Sequence, residues 1–586
     1  MIDLLYNVPF PSYRTGALFN TFSYPTKISP EAVAIFIACH TKVGDTVFDP
    51  FGGSGTTGIA AKLCDSPTVL MRKVASELGL KPVWGPRKAV IYELSPMGTM
   101  IGNVMCNTDL QLFLRYSRQI LDEVEKEERQ VYEVVDPDGN TGYLRYAIWS
   151  DVVACPHCKS ELKYADIAVQ QNPIRFVSEA TCPHCNNRFE VAKAPKLTEE
   201  QHDHVLGQRV EVKKRVPYKI YGTTGKTNWS RLASSEDQAH YHQLVSGLDT
   251  QSVPVCRLNW GVLYRKGYHK GIDYLHQMYT ERNAYVFSRL WERVKECPEE
   301  IQSAMKVFLL SYNASHSTLM TRVVAKKNNA DFILTGAQPG VLYISSLPVE
   351  KNIFTGLRRK LETFVEAFKM LATSQSTVQF VNQSSTMNSL PKASVDYVFT
   401  DPPFGDYIPY SEINQLNELW LGRVTDSAEE VIVNEAQQKK IEDYQLLMTS
   451  VFKGIHRALK DNGCCTLVFH SAKSAIWRAI LASLQDSSLS VTKTSILDKV
   501  QASFKQVNST ITVKGDPLLL LYKSETQSAS SVDTVNEQAI ILRVKESHRN
   551  EESSKEKSER MYSEYVSECM KNHVFVTHDA KFFYQP

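Results

Sequence analysis

In the first 110 residues apolar positions recur first with helical and then with strand spacing. Ser29-Pro30 places a capping side chain before a proline at the first helical position, and Glu31 to His40 then carries an apolar face, which predicts a helix. Thr46-Val47-Phe48 predicts a short buried strand running into Asp49. Gly55 to Leu63 is small and apolar, as in a helix packed on a sheet. Ala89-Val90-Ile91-Tyr92 predicts a second strand that ends at Glu93.

From 111 to 375 the texture changes. Charged helical stretches appear at Leu110 to Glu128 and Asn283 to Val294, without strand–helix alternation, and the segment reads as an insertion. Alternation resumes near 376, with strands at Thr377 to Val381, Val395 to Thr400, Cys464 to His470 and Leu518 to Tyr522. Tyr444 to Leu459 is helical, and Lys460-Asp461-Asn462-Gly463 is a turn. The pattern predicts an α/β fold with one parallel-rich sheet built from both ends of the chain. Residues 526 to 560 are rich in Ser, Glu and Lys and read as a polar linker. Met561, Tyr565, Cys569 and Met570 then fall at helical spacing.

The 586 residues exceed one hydrophobic core, so two or more domains are expected. A net charge of +2 excludes an argument from global charge, and any nucleic-acid surface must come from local clusters. No apolar run approaches the roughly 18 residues of a membrane span. Met1 to Phe10 lacks the pattern of a signal peptide. A cytoplasmic location is expected, and the cysteines do not form the dense framework of a small secreted domain.

Three segments carry chemistry. In Asp49-Pro50-Phe51-Gly52-Gly53-Ser54-Gly55-Thr56-Thr57 a strand delivers the chain to a glycine-rich turn and a helix starts at once. The helix N-terminus turns free N–H groups toward a ligand, as at the strand ends of open α/β sheets. A structural glycine turn has the same pattern. Glu93, at the end of the next strand, suits the two hydroxyls of a ribose, and equally a solvated strand end. Thr400-Asp401-Pro402-Pro403-Phe404 follows a buried run. There an aspartate oxygen and the Pro402 carbonyl would accept from one exocyclic NH₂, and Phe404 offers a flat face for a base. A plain turn after a strand uses the same residue types.

Together these segments resemble the amino-methyltransferases, with their F-x-G-x-G and D-P-P-[YFW] motifs. More closely, the chain is similar to adenine-specific DNA methylases that contain a zinc ribbon. Ser23-Tyr24-Pro25-Thr26-Lys27, Gly340-Val341-Leu342-Tyr343-Ile344 and the run from Asp401 to Trp420 add to the likeness, which covers most of residues 20 to 525. The resemblance implies a Rossmann-like sheet and methyl transfer from S-adenosylmethionine to N6 of adenine in double-stranded DNA. It implies cofactor contacts from Thr26, Asp49, Pro50, Phe51, Gly52, Gly53, Gly55, Thr56 and Glu93, and catalysis by Asp401, Pro402, Pro403 and Phe404. Residues 1–110 and 376–525 would form the catalytic domain, 111–375 a target-recognising insertion with a ribbon at about 151–190, and 526–586 the linker and a C-terminal helix. A nucleoid location and a restriction or defence partner belong to the same expectation. One departure is Asn382-Gln383-Ser384-Ser385, where the family often has an acid near the adenine; Asn382 or Ser384 stands in for it.

Cys155-Pro156-His157-Cys158 and Cys182-Pro183-His184-Cys185, separated by 23 residues, suit a closed tetrahedral Cys₄ zinc site of structural type. His157 and His184 are spare ligands. A redox role would need a thioredoxin-like context that is lacking. Arg209, Lys213, Lys214, Arg215, Lys219, Lys226 and Arg231, interleaved with Tyr218, Tyr221 and Trp229, suit nucleic acid, with Lys213, Lys214, Arg215 and Tyr218 as the candidate contacts. A solvated loop has the same composition, and Asn313 to Arg322 with Lys326-Lys327 is equally open. RNA guanine-N2 or adenine-N6 methylation and DNA cytosine-N4 methylation share the D-P-P-[YF] loop, and a DNA-binding scaffold would use the ribbon alone. Cytosine-C5 chemistry needs a nucleophilic cysteine, commonly in a P-C dipeptide, and none occurs.

Overall fold

The computed structural model describes residues 2–7, 9–171, 173–318, 321, 323–326, 329, 331–336, 342–499, 515–524, 536–549 and 554–584. Two compact units emerge: residues 1–110, 365–414 and 424–586 form the first, and 111–364 with 415–423 form the second.

The first unit is built on an eight-stranded sheet. Across it run Phe10–Ser12, Leu489–Lys499, Asp516–Lys523, Leu459–Val468, Val395–Thr400, Thr46–Asp49, Lys88–Glu93 and Thr377–Asn382. Only Asp516–Lys523 runs antiparallel to its neighbours. Thr46–Asp49 lies between Lys88–Glu93 and Val395–Thr400, so the strand order reverses beside it. That is where an open α/β sheet leaves a crevice beyond its strand ends. The residues read as a turn, Lys460 to Gly463, are an excursion within Leu459–Val468. Leu459 faces Val395 and Cys464 faces Tyr397, so the extra residues bulge from the ladder.

Helix Pro30–His40 begins after Ser29, but the Ser29 hydroxyl donates to Glu31 (2.9 Å) instead of accepting from a backbone N–H. Helix Ile441–Ala458 buries Tyr444, Met448, Val451, Phe452 and Ile455, the i, i+4, i+7, i+8, i+11 stripe of an amphipathic helix. The same core takes in the chain's end. Helix Glu537–Ser547 contributes Ile540, Ile541 and Val544, and helix Lys555–Lys571 contributes Met561, Tyr562, Tyr565, Val566, Cys569 and Met570. The linker reading of 526–560 is corrected to that extent, since a helix interrupts it. Residues 525–535 and 550–553 lie outside the described residues.

The second unit holds an antiparallel sheet that the sequence pattern did not disclose. Thr141–Ala154 is its long central strand, flanked by Arg215–Thr224 and Val349–Lys351, with Thr227–Leu232 beyond Arg215–Thr224. Against it a buried ion pair joins Arg282 to Glu350 through two 2.8 Å bonds. Thr280 (2.7 Å) and Trp149 Nε1 (3.0 Å) also donate to Glu350. Full partnering is what makes a buried pair tolerable.

Candidate active site

The strand Thr46–Asp49 ends in a turn that needs glycine. Gly55 caps helix Thr56–Asp65 at φ +81°, and a Cβ there would lie 2.4 Å from the Gly102 Cα. Gly52 is equally confined, since its Cβ would meet Ile91 Cγ2 at 2.2 Å. The backbone therefore runs close under the strand ends, as a ligand-cradling turn requires.

Asp49 holds this turn to the neighbouring strand. Its carboxylate accepts from the Phe51 N–H (2.9 Å), the Thr57 hydroxyl (2.6 Å) and the Thr400 hydroxyl (2.9 Å). The last bond links the glycine turn directly to the residue before Asp401. Glu93 is fixed from the other side, accepting from the Gly53 N–H (2.7 Å) and the Ser95 N–H (2.8 Å). The Ser385 hydroxyl donates to the Pro50 carbonyl.

These residues surround a cavity of about 110 Å³. Thr26, Asp49, Pro50, Phe51, Gly52, Gly53, Thr56, Glu93, Asp401 and Pro403 line it, so both motifs open onto one space. Gly55, Pro402 and Phe404 do not line it. Gly55 acts through the helix start, and Pro402 is buried. Phe404 requires a correction. Its ring is 6% exposed and packs in the core, 5.4 Å from the Phe469 ring and 5.8 Å from that of His470. It presents no face for a base, because burying an aromatic ring among apolar neighbours is the stronger demand. Of the stand-ins for the missing acid, Asn382 is committed to the Glu93 and Leu94 carbonyls (3.0 and 2.8 Å), whereas Ser384 lines the cavity.

The sequence reading missed part of the wall. Ser54 is buried with a hydroxyl that makes no hydrogen bond, and it lines the cavity. Thr26 sits at φ +58°, a costly conformation for a β-branched residue. Its hydroxyl meets the Tyr410 hydroxyl at 2.8 Å, and Tyr24 stacks on Tyr410 at 6.1 Å. Thr425, Glu429 and Glu430 reach the cavity from a loop with no motif of its own.

Burial pushes the Asp49 carboxyl up to about 6, against the hydrogen bonds from Thr57, Phe51 and Thr400. A carboxyl raised on folding binds a proton more tightly in the folded state, so its contribution falls as pH rises through this window. Above it, the ionised group costs about 3 kcal/mol. Asp49→Asn should therefore gain stability over wild type by about that amount between about pH 4 and about pH 7, read from urea unfolding. A difference that does not change with pH would contradict the assignment.

In the second unit, Cys155, Cys158, Cys182 and Cys185 bring their Sγ atoms within 4.8 Å of one another, a group that could hold a metal ion. The Cys155–Cys185 and Cys158–Cys182 separations are 3.8 and 3.7 Å. Four sulfurs about 2.3 Å from a tetrahedral zinc lie about 3.8 Å apart, so the set fits. Each knuckle closes by a backbone bond, Lys159 N–H to Cys155 (3.0 Å) and Asn186 N–H to Cys182 (2.9 Å), with Lys159 and Asn186 at positive φ. His157 and His184 are not in the cluster.

The proposed nucleic-acid residues are not an open basic surface. Lys214 bonds Glu161 at 2.8 Å, Arg215 bonds Asp151 at 3.0 Å, and Lys213 and Tyr218 are buried. Their charges have internal partners or line a cavity. Gly340, Val341, Leu319, Met320, Arg322 and Lys327 lie outside the described residues.

Among the described residues no helix is long and apolar enough to cross a membrane. No curated protein matches the chain. Residues 8–69, which include Thr26 and the whole glycine turn but not Asp401, match the N6 and N4 methyltransferase family model described as DNA methylase, and this supports a DNA methyltransferase acting on adenine N6 or cytosine N4.

Proposed function

We propose that the chain is a Rossmann-like methyltransferase that uses S-adenosylmethionine to methylate N6 of adenine in double-stranded DNA. One observation carries the reading. The Thr400 hydroxyl reaches Asp49 at 2.9 Å, and the loops on either side, 50–57 and 401–403, line one cavity. The match over residues 8–69 supports the same class.

The residues present fit the cofactor. Glu93 suits ribose hydroxyls, the glycine turn brings backbone close, and the buried Ser54 hydroxyl offers a hydrogen bond. When bound, S-adenosylmethionine supplies an electrophilic methyl group. The chain's own part is to present the amine. The Pro403 carbonyl already accepts from the Tyr444 hydroxyl (2.8 Å) and the Gly405 N–H (3.0 Å). The acceptor for an exocyclic NH₂ that lines the cavity is the Asp401 carboxylate, and the Pro402 carbonyl, next to it in the loop but outside the lining, is assigned as the second. Both hold the nitrogen lone pair toward the cofactor side, and alignment supplies most of the acceleration of a direct displacement. A base must leave the duplex to reach them, at a cost of a few kcal/mol. With Phe404 in the core, the walls that receive it are the cavity-lining side chains.

An aspartate at 401 favours adenine over cytosine, whose N4 enzymes more often carry serine there. The insertion unit, with a sheet and a cysteine cluster of its own, is assigned to target recognition. Sequencing DNA from an expressing host for modified bases tests the reading. N6-methyladenine at a defined sequence is expected. N4-methylcytosine would reassign the base, and unmodified DNA would overturn the proposal.

A further inference from the structure

The insertion unit contains a second cavity of about 140 Å³, larger than the one beside Asp401. Lys213, Arg215, His276, Glu281, Trp149 and Tyr241 are in its wall. None belongs to the methyl-transfer site, so a ligand held there does not depend on the methyltransferase reading.

The charges around one wall do not balance. Asp151, only 1% exposed, is approached by Arg215 Nε at 3.0 Å, Lys196 Nζ at 3.4 Å and Lys213 Nζ at 3.9 Å. The three cationic side chains are 15%, 21% and 5% exposed, so one carboxylate answers three largely buried cations. Buried charges are normally paired. Here Arg215 Nη2 and Lys196 Nζ are buried and make no hydrogen bond, while Lys196 Nζ lies 4.7 Å over the Tyr268 ring and Lys213 Nζ donates to the Gly267 carbonyl at 3.5 Å. Burial, together with Arg215 and Lys196, brings Lys213 down to about 7 despite Asp151. Glu199, Asp203 and Glu281 lie elsewhere in the lining, and an anion beside Arg215 and Lys213 would complete the pairing at this corner.

Elsewhere the wall has a different character. His276 Nε2 lies 2.8 Å from Asp203, which also accepts from the Val205 and Leu206 N–H groups (3.0 Å each) and from Gln277 (3.1 Å). That network fixes the imidazole, whose Nδ1 is buried with no partner. Glu281 is pushed up to about 7 by burial and by the charge on Asp203. A fixed imidazole and a buried carboxyl suit a planar edge that carries both donors and acceptors. Trp149 and Tyr241, edge to face at 4.8 Å, add aromatic surface.

We propose that this cavity binds a phosphorylated nucleoside, with the phosphate at Lys213 and Arg215 and the base edge at His276 and Glu281. The phosphate belongs either to a free nucleotide or to DNA, and the experiment separates the two. Full-length, zinc-loaded protein, held with saturating S-adenosylhomocysteine to occupy the first cavity, is treated with a lysine-acylating reagent. Modification of Lys213 is mapped by mass spectrometry with deoxyadenosine monophosphate, deoxyadenosine or a short duplex present. Protection by the monophosphate and not by deoxyadenosine is expected. Protection by the duplex alone upholds the site and assigns the phosphate to DNA. Equal protection by deoxyadenosine, or none from monophosphate or duplex, overturns the proposal. In parallel, Lys213→Met should weaken binding of whichever ligand protects by about tenfold or more. That substitution removes a buried cation and keeps the side chain's length, and unchanged thermal unfolding of the variant shows that the fold is retained. Unchanged affinity in the variant also overturns the proposal.

Discussion

Asp401→Ala is expected to lower kcat for methyl transfer at least about a thousandfold, as befits the carboxylate proposed to accept from the reacting amine. Asp401 follows the buried strand Val395–Thr400 and lines the cavity that Asp49 and Glu93 also line. Those two carboxylates, not Asp401, organise the glycine turn, through Phe51, Thr57 and Gly53. Cofactor affinity should therefore stay within about threefold of wild type while turnover collapses, the signature of an interaction made mainly in the transition state. Asp401→Asn keeps one carbonyl acceptor but loses the charge, and should fall between the two. The measurement is transfer of labelled methyl to DNA, with calorimetry for cofactor binding. Alanine activity within threefold of wild type would show that the amine is oriented by other groups.

The parts of this site that were legible in the sequence are those fixed by local chemistry. A strand that ends in Asp49 and a glycine-rich turn announces itself, as do Glu93 at a strand end and the two prolines after Asp401. Their meeting also follows from the sequence once strand–helix alternation is seen to resume near 376, because parallel strands in one sheet put their carboxyl ends on one edge. What failed was everything decided by distant partners. Phe404 looks available beside Asp401, yet Phe469 and His470, more than sixty residues on, enclose it. The basic run at 213–215 reads as a surface until Asp151 and Glu161 are seen to meet it. The main partner of Thr141–Ala154, Arg215–Thr224, is some seventy residues away, but the Asp136-Pro137-Asp138-Gly139 turn that joins the strand to Glu133–Val135 was a local signal of it. Helix Glu537–Ser547 has a charged composition, and only the buried face of Ile540, Ile541 and Val544 separates it from a linker.

Removing metal from the cysteine cluster should unfold the ribbon and leave the first unit standing. Cys155 and Cys182 are fully buried and share a small core with Val153, Leu162, Ile167, Phe189 and Val191. Those side chains are too few to hold two short hairpins, and the two-residue and three-residue strands around them contribute little pairing. Zinc in comparable small sites contributes about 10–16 kcal/mol of apparent binding energy, all of it coupled to folding. Freshly purified protein should hold one zinc per chain by elemental analysis. Chelation, or Cys182→Ser, should produce an early transition in thermal unfolding and rapid amide exchange across residues 152–194. Exchange in Thr46–Asp49 and Val395–Thr400 should not change, since their sheet belongs to the other unit. Two results would count against a structural zinc: purified protein without the metal, or a ribbon whose exchange stays slow after stripping. Loss of the first unit's protection on chelation would instead mean that the cluster stabilises the whole chain.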